Sequence, residues 1–194
     1  MRKLVMGMMT TLNGRLDDPD AWMGGVPDDL YAEIDRRYET YDTVLVGRTT
    51  YEEMVEYWPG AETAEGGSEI NRSMAVKMNR YTKYVFSGAS EKTALDWNNA
   101  EQVLVHSDDD VARFVNELKT RSGGDIHLAG GAQLAQTLVR LGLVDEYHFL
   151  VWPVVSAGST WFDKLDEQRG MELVSATGYS NGVVGLHYRH ATHR

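Results

Sequence analysis

The chain contains no cysteine. This absence excludes disulfide bonds, zinc sites built on thiolates and a cysteine nucleophile, and it leaves no argument for an oxidising compartment. No run of apolar residues approaches the roughly 20 that are needed to cross a bilayer. The charged pair Arg2-Lys3 is not followed by the apolar segment of a signal peptide. We therefore expect a cytoplasmic protein with no membrane partner.

Positive charge is also scarce, since 19 lysines and arginines stand against 29 acidic residues and the formal net charge is -10. This balance argues against binding to nucleic acids or anionic membranes. An anionic ligand would need local positive charge or backbone N–H donors. The 194 residues are 42% hydrophobic and 25% charged, and no internal repeat or linker divides them. We expect a single globular domain that spans residues 1–194.

Apolar segments alternate with helical patterns along most of the chain. The last two segments, 171–179 and 183–190, alternate apolar and polar residues and flank a turn at Ser180-Asn181-Gly182, which predicts a β-hairpin. A capping box, Thr49-x-x-Glu52, predicts the start of one helix, and Pro59-Gly60 predicts its end. We expect an α/β fold, a three-layer sandwich with a mixed, mostly parallel sheet and a C-terminal antiparallel hairpin. The other predicted strands are 3–9, 43–46, 83–87, 102–106, 126–129 and 145–155.

Two short motifs stand where a strand ends and a helix begins. They are Gly47-Arg48-Thr49-Thr50 and Gly130-Gly131-Ala132-Gln133. Helix N-termini expose unpaired N–H groups and the positive end of the helix dipole, which attract phosphate. Ser87 ends a third strand, and ligands of open α/β sheets lie outside the carboxyl ends of the strands. The pattern predicts a ligand with phosphates at two places, such as a dinucleotide with a 2′-phosphate.

Each motif also has a simpler interpretation. Arg48 could form a charge-assisted fork to phosphate, or it could pair with Glu52 or Glu53 on its own helix. Gly130-Gly131 could cradle a pyrophosphate or form a plain tight turn.

The order and spacing of several motifs resemble the dihydrofolate reductases. The segment 46–52, Val-Gly-Arg-Thr-Thr-Tyr-Glu, is similar to their Gly-Arg-x-Thr-aromatic-Glu signature, and Leu128-Ala129-Gly130-Gly131-Ala132 resembles their second nucleotide-binding turn. Trp22 followed by Pro27-Asp28-Asp29-Leu30 resembles the lead into their first helix. With the late Asp145-Glu146-Tyr147 strand, the chain looks most similar to standalone relatives of the riboflavin-biosynthesis reductase domain.

This resemblance implies NADPH as hydride donor. Arg48 and Thr49 would contact the adenosine phosphates, and Ser87 would lie near the adenine ribose and its 2′-phosphate. The loop with Asn13 and Gly14 would lie beside the nicotinamide. Family relatives are often dimers, and the apolar strand 147–152 exceeds what one monomer needs to bury, so a homodimer is expected. The remaining cofactor residues would cradle the pyrophosphate and allow close approach: Gly47, Gly130, Gly131, Ala132 and Gln133.

Asp29 aligns with the single active-site carboxylate of folate reductases. It could relay a proton to a C=N bond after hydride delivery, bind an amino-pyrimidine edge as an acceptor, or only cap a helix. Trp22 could belong to a mobile cover over the substrate, and Tyr51 could line a ring-binding slot or pack in the core. We expect no metal site, because His187 and His190 would point to opposite faces of one strand and His193 lies in a tail.

The leading hypothesis is an NADPH-dependent reductase that acts on a pterin-like or ribosylaminopyrimidine-like substrate. The second is a non-catalytic homodimer that binds a nucleotide or pterin. Asn13 and Gly88 motivate it, since relatives often carry an aspartate and a basic residue at these positions.

Overall fold

The computed structural model describes residues 1–162, 165 and 167–191, so His193 lies outside the described residues. A short 3-10 turn, Pro19–Ala21, lies in the long loop that follows the first strand. The helices are α1 Asp28–Tyr38, α2 Arg48–Ala61, α3 Glu69–Arg80, α4 Asp108–Thr120 and α5 Ala132–Arg140. The strands are β1 Leu4–Thr11, β2 Tyr41–Gly47, β3 Thr82–Ser87, β4 Ala100–Leu104, β5 Asp125–Gly130, β6 Glu146–Trp152, β7 Met171–Gly178 and β8 Val184–His190.

The strands form one eight-stranded sheet in the order β4-β3-β2-β5-β1-β6-β8-β7. The six strands from β4 to β6 are parallel, and β8 and β7 add the antiparallel hairpin. The predicted α/β class, the mostly parallel sheet and the closing hairpin are therefore confirmed. Because strands β3, β2, β5 and β1 are parallel neighbours, their carboxyl ends share one edge of the sheet.

Helices cover both faces of the sheet, and successive residues of β1 show which helices lie on which side. Leu4 and Met6 pack in a core cluster with residues of α4 and α5, whereas Val5 packs in a cluster with Tyr51 of α2 and Met78 of α3. This alternation follows from the period of two in a strand. The result is a three-layer sandwich. Among the described residues, no helix has both the length and the apolar content of a membrane span.

The predicted start and end of α2 are both wrong. Its N-cap is Gly47, which offers no side-chain cap, and Glu52 pairs with Arg48 instead of completing a capping box with Thr49. The helix continues through Pro59 to Ala61. Pro59 lacks an N–H and costs one helical hydrogen bond, but Ala61 is buried, and its packing favours another turn.

Two strand boundaries also differ from the sequence pattern. Strand β4 begins at Ala100 rather than 102, and β6 ends at Trp152 rather than 155. After Trp152 the chain turns at Pro153, where the N–H of Val154 donates to the carbonyl oxygen of Trp152 at 2.8 Å. An apolar run alone does not reveal this turn.

Candidate functional site

The two glycine-containing turns lie side by side at the carboxyl edge of the sheet, because β2 and β5 are neighbouring parallel strands. A Cβ atom at Gly47 would lie 3.6 Å from the backbone nitrogen of Gly131. A Cβ at Gly131 would lie only 2.9 Å from Oγ1 of Thr50. Gly130 has a φ of 122°, which disfavours any other residue, and the Gly130–Gly131 peptide is cis. The two motifs therefore form one continuous backbone surface.

Both helices that start at these turns have uncompensated N-termini. The N-caps of α2 and α5, Gly47 and Gly131, provide no side-chain hydrogen bond, and neither first turn carries an acidic residue. By contrast, α3 and α4 are capped by Ser68 and Ser107, and acidic residues occupy their first turns. The exposed N–H groups and positive dipole ends of α2 and α5 thus remain available to an anion at the same edge.

Arg48 lies at the start of α2, but its guanidinium is engaged on the protein surface. Nε donates to Oε1 of Glu52 at 2.6 Å and Nη1 donates to Oγ1 of Thr93 at 3.2 Å. The structure therefore shows the helix pairing that the sequence left open as an alternative. The side chain is 40% exposed, and surface pairs of this kind are weak, so phosphate could replace Glu52 at low cost.

The loops that follow the flanking strands lie at the same edge. Ser87 ends β3, and its Oγ accepts a hydrogen bond from the N–H of Ala89 at 3.2 Å. Asn13 and Gly14 follow β1. The Asn13 amide accepts from the N–H of Ser156 at 3.1 Å and donates to the Ser156 carbonyl oxygen at 2.8 Å. Asn13 thus ties its loop to the segment after β6.

A cavity of about 300 Å³ lies between the sheet and helices α1 and α2, next to the two turns. Thr50 and Ala129 connect the cavity to the turns, because both line the cavity. Thr50 lies in the first turn of α2, after Gly47, and Ala129 directly precedes Gly130 in β5. Its walls are mostly aromatic or flexible apolar side chains, which suit a flat ring. These walls include Trp22, Trp58, Trp161, Met8, Met9, Met54, Ile34, Leu16 and Leu150.

Hydrogen bonds hold the aromatic walls of the cavity in place. Trp22 Nε1 donates to the carbonyl oxygen of Asp17 at 2.9 Å, and Trp161 Nε1 donates to that of Met9 at 3.2 Å. Trp22 also packs edge-on against Trp152, with ring centres 5.8 Å apart. Trp22 therefore lies where the sequence interpretation expects a substrate-covering residue, although its indole is anchored by these contacts.

The polar end of the cavity consists of Arg37, Tyr38, Tyr41, His127 and His148. No aspartate or glutamate is among the described residues that line it. His127 stacks on Tyr41, with ring centres 5.1 Å apart and planes 17° apart. Burial lowers the pKa of His127 to about 3 and raises that of Tyr38 to about 12, so both are neutral near pH 7. The sequence interpretation missed this end, because its members come from α1, β2, β5 and β6.

Asp29 does not line the cavity. Its exposed carboxylate accepts hydrogen bonds from the N–H of Ser180 at 2.9 Å, from Oγ of Ser180 at 3.0 Å and from the N–H of Leu30 at 2.9 Å. These bonds, led by the backbone N–H of Ser180, lower the pKa of Asp29 below its ordinary value. This placement is that of neither a proton relay nor an amino-pyrimidine acceptor in the cavity: Asp29 fastens α1 to the β7–β8 turn.

Tyr51 is likewise placed away from the cavity. It is buried in the core between α2, α3 and the sheet, and its hydroxyl oxygen accepts a hydrogen bond from the N–H of Trp97 at 3.0 Å. Core packing, the simpler interpretation, accounts for this residue, and a ring-binding slot at Tyr51 does not form.

The sequence did not predict one cluster of possible metal ligands. His187 and His190 do face opposite sides of β8, but His187 lies opposite His148 of β6, and the two rings stack 4.0 Å apart with planes 17° apart. With Glu146 they place three ligand atoms within 4.8 Å of one another. Nearly parallel rings aim their nitrogen lone pairs side by side rather than at one point, and Lys3 donates to Glu146 at 2.6 Å. Hydrogen bonds from Lys3 and His187 to Glu146 join this cluster.

Comparison with known proteins agrees with this architecture. The chain is 28% identical over 191 residues to the uncharacterized protein YyaP of Bacillus subtilis. The alignment covers 96% of this chain and 94% of that protein. A candidate riboflavin biosynthesis protein from Shewanella sp. PV-4 has a similar fold, with a TM-score of 0.72, 13% identity and coverage of 98% of this chain and 99% of that one.

The dihydrofolate reductase of Enterococcus faecalis, solved as a complex with NADP(H), shares the fold at a TM-score of 0.59 and 14% identity, covering 98% and 97% of the two chains. The profile of the RibD C-terminal domain family matches residues 2–185. This match spans the sheet from β1 into β8 together with both turns. The chain therefore belongs to the RibD C-terminal domain family, whose fold is that of the dihydrofolate reductases.

Proposed function

We propose that this protein is an NADPH-dependent reductase that transfers a hydride to a small heterocyclic ring, either pterin-like or ribosylaminopyrimidine-like. The observation that carries the proposal is the placement of Thr50. It lies against the Gly130–Gly131 turn and also lines the aromatic cavity. A dinucleotide held at the turns would therefore have its reactive end beside the cavity. Membership of a reductase-type family supports the same reaction class.

The residues at the sheet edge fit the anionic parts of NADPH. The first-turn N–H groups of α2 and α5 can donate to phosphate oxygens, and Gly47 and Gly131 allow the backbone to approach closely. Arg48 can turn from Glu52 to a phosphate, and Ser87 lies on the neighbouring strand end. NADPH would supply the hydride; the protein supplies position.

The cavity fits the ring that accepts the hydride. Trp22, Trp58 and Trp161 provide flat apolar walls that exclude water from a bound ring. Since no carboxylate among the described residues lines the cavity, we expect water rather than Asp29 to deliver the proton that a reduced ring nitrogen needs. Asp29 would act only as a structural contact, by holding Ser180 of the β7–β8 turn against α1.

Titration with NADPH and with NADH, followed by cofactor fluorescence, tests the proposal. NADPH should bind, and Arg48→Ala should weaken NADPH more than NADH because only NADPH carries the 2′-phosphate. Equal effects on the two cofactors would show that Arg48 does not bind the 2′-phosphate. Absence of binding by either cofactor at millimolar concentration would refute the proposed function.

A second candidate function is the binding of a nucleotide or pterin without turnover. The absence of a carboxylate from the described cavity lining favours it, because a reductase of C=N bonds commonly uses an acid near the reacting nitrogen. A protein that binds NADPH but reduces neither dihydrofolate nor the ribosylaminopyrimidine of riboflavin synthesis would support it. Clear turnover of either compound would exclude it.

We also propose that the protein is a homodimer, although strand β6 does not supply the exposed apolar surface that the sequence suggested. Tyr147, Leu150 and Trp152 of that strand are buried within the monomer. The hairpin offers an alternative surface, because its adjacent residues Leu173 and Val174 are 51% and 47% exposed. Light scattering at micromolar concentration should give twice the 21.8 kDa mass of the chain, and a monomeric mass would contradict the proposal.

A further inference from the structure

Three side chains that can bind a metal ion lie together on the side of the sheet that faces α1. Glu146 and His148 are two positions apart in β6, so they share a face, and His187 is the partner of His148 on β8. All three line a second cavity, of about 280 Å³. Tyr41 and Asp125, the first residues of β2 and β5, line it too. The cluster therefore lies toward the amino ends of the parallel strands, away from the glycine turns.

The separations of the ligand atoms suit a transition metal ion. Oε2 of Glu146 lies 3.1 Å from Nε2 of His187 and 4.0 Å from Nε2 of His148, and the three ligand atoms lie within 4.8 Å of one another. A point equidistant from atoms at such separations is roughly 2–2.4 Å from each, near the bond lengths of about 2.0–2.2 Å that zinc makes to nitrogen and oxygen. Two imidazoles and one carboxylate are also a ligand set that zinc commonly takes.

Lys3 holds the carboxylate in the orientation that a metal ion needs. Nζ of Lys3 donates to Oε1 of Glu146 at 2.6 Å, which leaves Oε2 facing the imidazoles. A hydrogen bond of this kind orients a ligating carboxylate. Because an ionised carboxylate only accepts hydrogen bonds, the proton shared with His187 is on Nε2 of the histidine. A divalent cation would take the place of that proton between the two atoms.

One imidazole has to turn for the site to close, because the stacked rings direct their lone pairs side by side. His148 is the ring that can turn. Among the described residues no hydrogen bond holds it, since its distance of 4.0 Å to Glu146 is too long for one. Its side chain is 16% exposed and lines the second cavity. The cavity gives the ring room to turn and lets water reach a bound ion.

The other charged residues that line the second cavity balance one another. Glu33 and Asp125 lie there with Arg36 and Arg37, and Arg36 donates from Nε and Nη2 to the Glu33 carboxylate. Bonds to the two imidazoles, rather than charge alone, would therefore hold a cation. This favours zinc and neighbouring transition metals over Mg²⁺ and Ca²⁺, which take oxygen ligands.

We propose that Glu146, His148 and His187 bind one divalent transition metal ion of the zinc type, which ties β8 of the hairpin to β6. Three protein ligands leave the fourth position of a tetrahedral ion open to the second cavity, where water or a ligand oxygen can bind. The inference does not depend on the proposed reductase function, because none of the three ligands belongs to the glycine turns.

Metal titration of the chelator-treated protein, prepared without an affinity tag, tests the proposal. Calorimetry should show one Zn²⁺ bound per chain with micromolar or tighter affinity. Co²⁺, which is coloured when bound by nitrogen and oxygen, should give visible absorption bands that Zn²⁺ abolishes and millimolar Mg²⁺ does not. Absence of Zn²⁺ binding at submillimolar concentration, or equal competition by Mg²⁺, would overturn the proposal.

Variants assign the ion to this cluster. His187→Gln and His148→Phe, which keeps a flat ring for stacking, should each weaken Zn²⁺ binding at least about tenfold. His190→Gln is the matched control, because His190 lies on the same strand but contacts Tyr147 on the opposite face. Zn²⁺ binding that survives in both cluster variants, or that is lost in the control alone, would overturn the proposal.

A measurement on the wild-type protein covers the case in which a variant folds poorly. Zn²⁺ should move the imidazole nitrogen-15 signals of His148 and His187 and leave that of His190 in place. It should also raise the melting temperature in proportion to the logarithm of its concentration above saturation. Unmoved signals of His148 and His187 would overturn the assignment. NADPH titration reports on the reductase proposal separately, so either proposal can fail alone.

Discussion

Lys83 should make the stability of this protein rise between about pH 7 and pH 9.5. The side chain is fully buried, at 0% exposure. Its Nζ donates to the carbonyl oxygens of Asn79 at 3.0 Å and Asn98 at 3.1 Å, and it lies 4.2 Å from the ring centre of Trp97. No carboxylate of the described residues pairs with it. Burial therefore lowers the pKa of Lys83 from 10.5 to about 8.

The sign and size of the effect follow from proton linkage. Between the folded pKa near 8 and the unfolded pKa near 10.5, the unfolded state binds more protons, so the free energy of unfolding increases as the pH rises. Integrating this difference from pH 7 to pH 9.5 gives a gain of about 2 kcal/mol. Buried tyrosines act in the opposite direction, because raised folded pKa values, such as about 12 for Tyr38, reduce stability as the pH passes about 10.

Lys83→Met isolates the lysine, since methionine keeps much of the side-chain length without the charge and the tyrosines are unchanged. Urea unfolding of both proteins at the two pH values is the assay. The wild-type free energy of unfolding should gain about 2 kcal/mol relative to the variant across this interval. Identical pH dependence in the two proteins would refute the assignment of a buried lysine with a lowered pKa.

Other predictions follow from the same contacts. If turnover is found, Asp29→Asn should leave kcat and its pH profile nearly unchanged because Asp29 lies outside the cavity; a loss of about 100-fold or more would restore its catalytic role. Gly131→Ala should weaken NADPH at least about tenfold in a fluorescence titration, since the methyl group would meet Thr50, whereas Gly60→Ala, with nothing within 4 Å of its Cβ position, should not. Ser107→Ala should cost about 1 kcal/mol of unfolding free energy through the lost cap on Asp110 and leave NADPH affinity intact; no loss would argue against that cap.

The fold and the meeting of the glycine turns at one edge of the sheet could be predicted from the sequence for a local reason. Strand and helix periods predicted the parallel sheet, and parallel strands necessarily bring Gly47, Ser87 and Gly130 to one edge. The cap of α4 by Ser107 is equally local, since it depends only on residues three apart. The end of α2 was not, because the packing of Ala61 outweighed the local effect of Pro59.

The cavity and the placement of Asp29 depended on contacts between distant segments. Whether Asp29 faces a ligand was decided by Ser180, 151 positions away, which no local pattern reveals. Arg37 and His127, at the polar end of the cavity, come from α1 and β5. The one available signal was His127, a polar residue inside the apolar strand Ile126-His127-Leu128, and its neighbours Tyr38 and Gly7 come from distant segments.

We have proposed that the turns at Gly47 and Gly130–Gly131 together bind the phosphates of a nicotinamide dinucleotide. Amide NMR spectra recorded during addition of NADPH test this binding. We expect large shifts confined to the first turns of α2 and α5 and to the Asn13 loop, with both turns saturating at the same concentration. Shifts at only one turn, or at neither while the cofactor binds elsewhere, would contradict it.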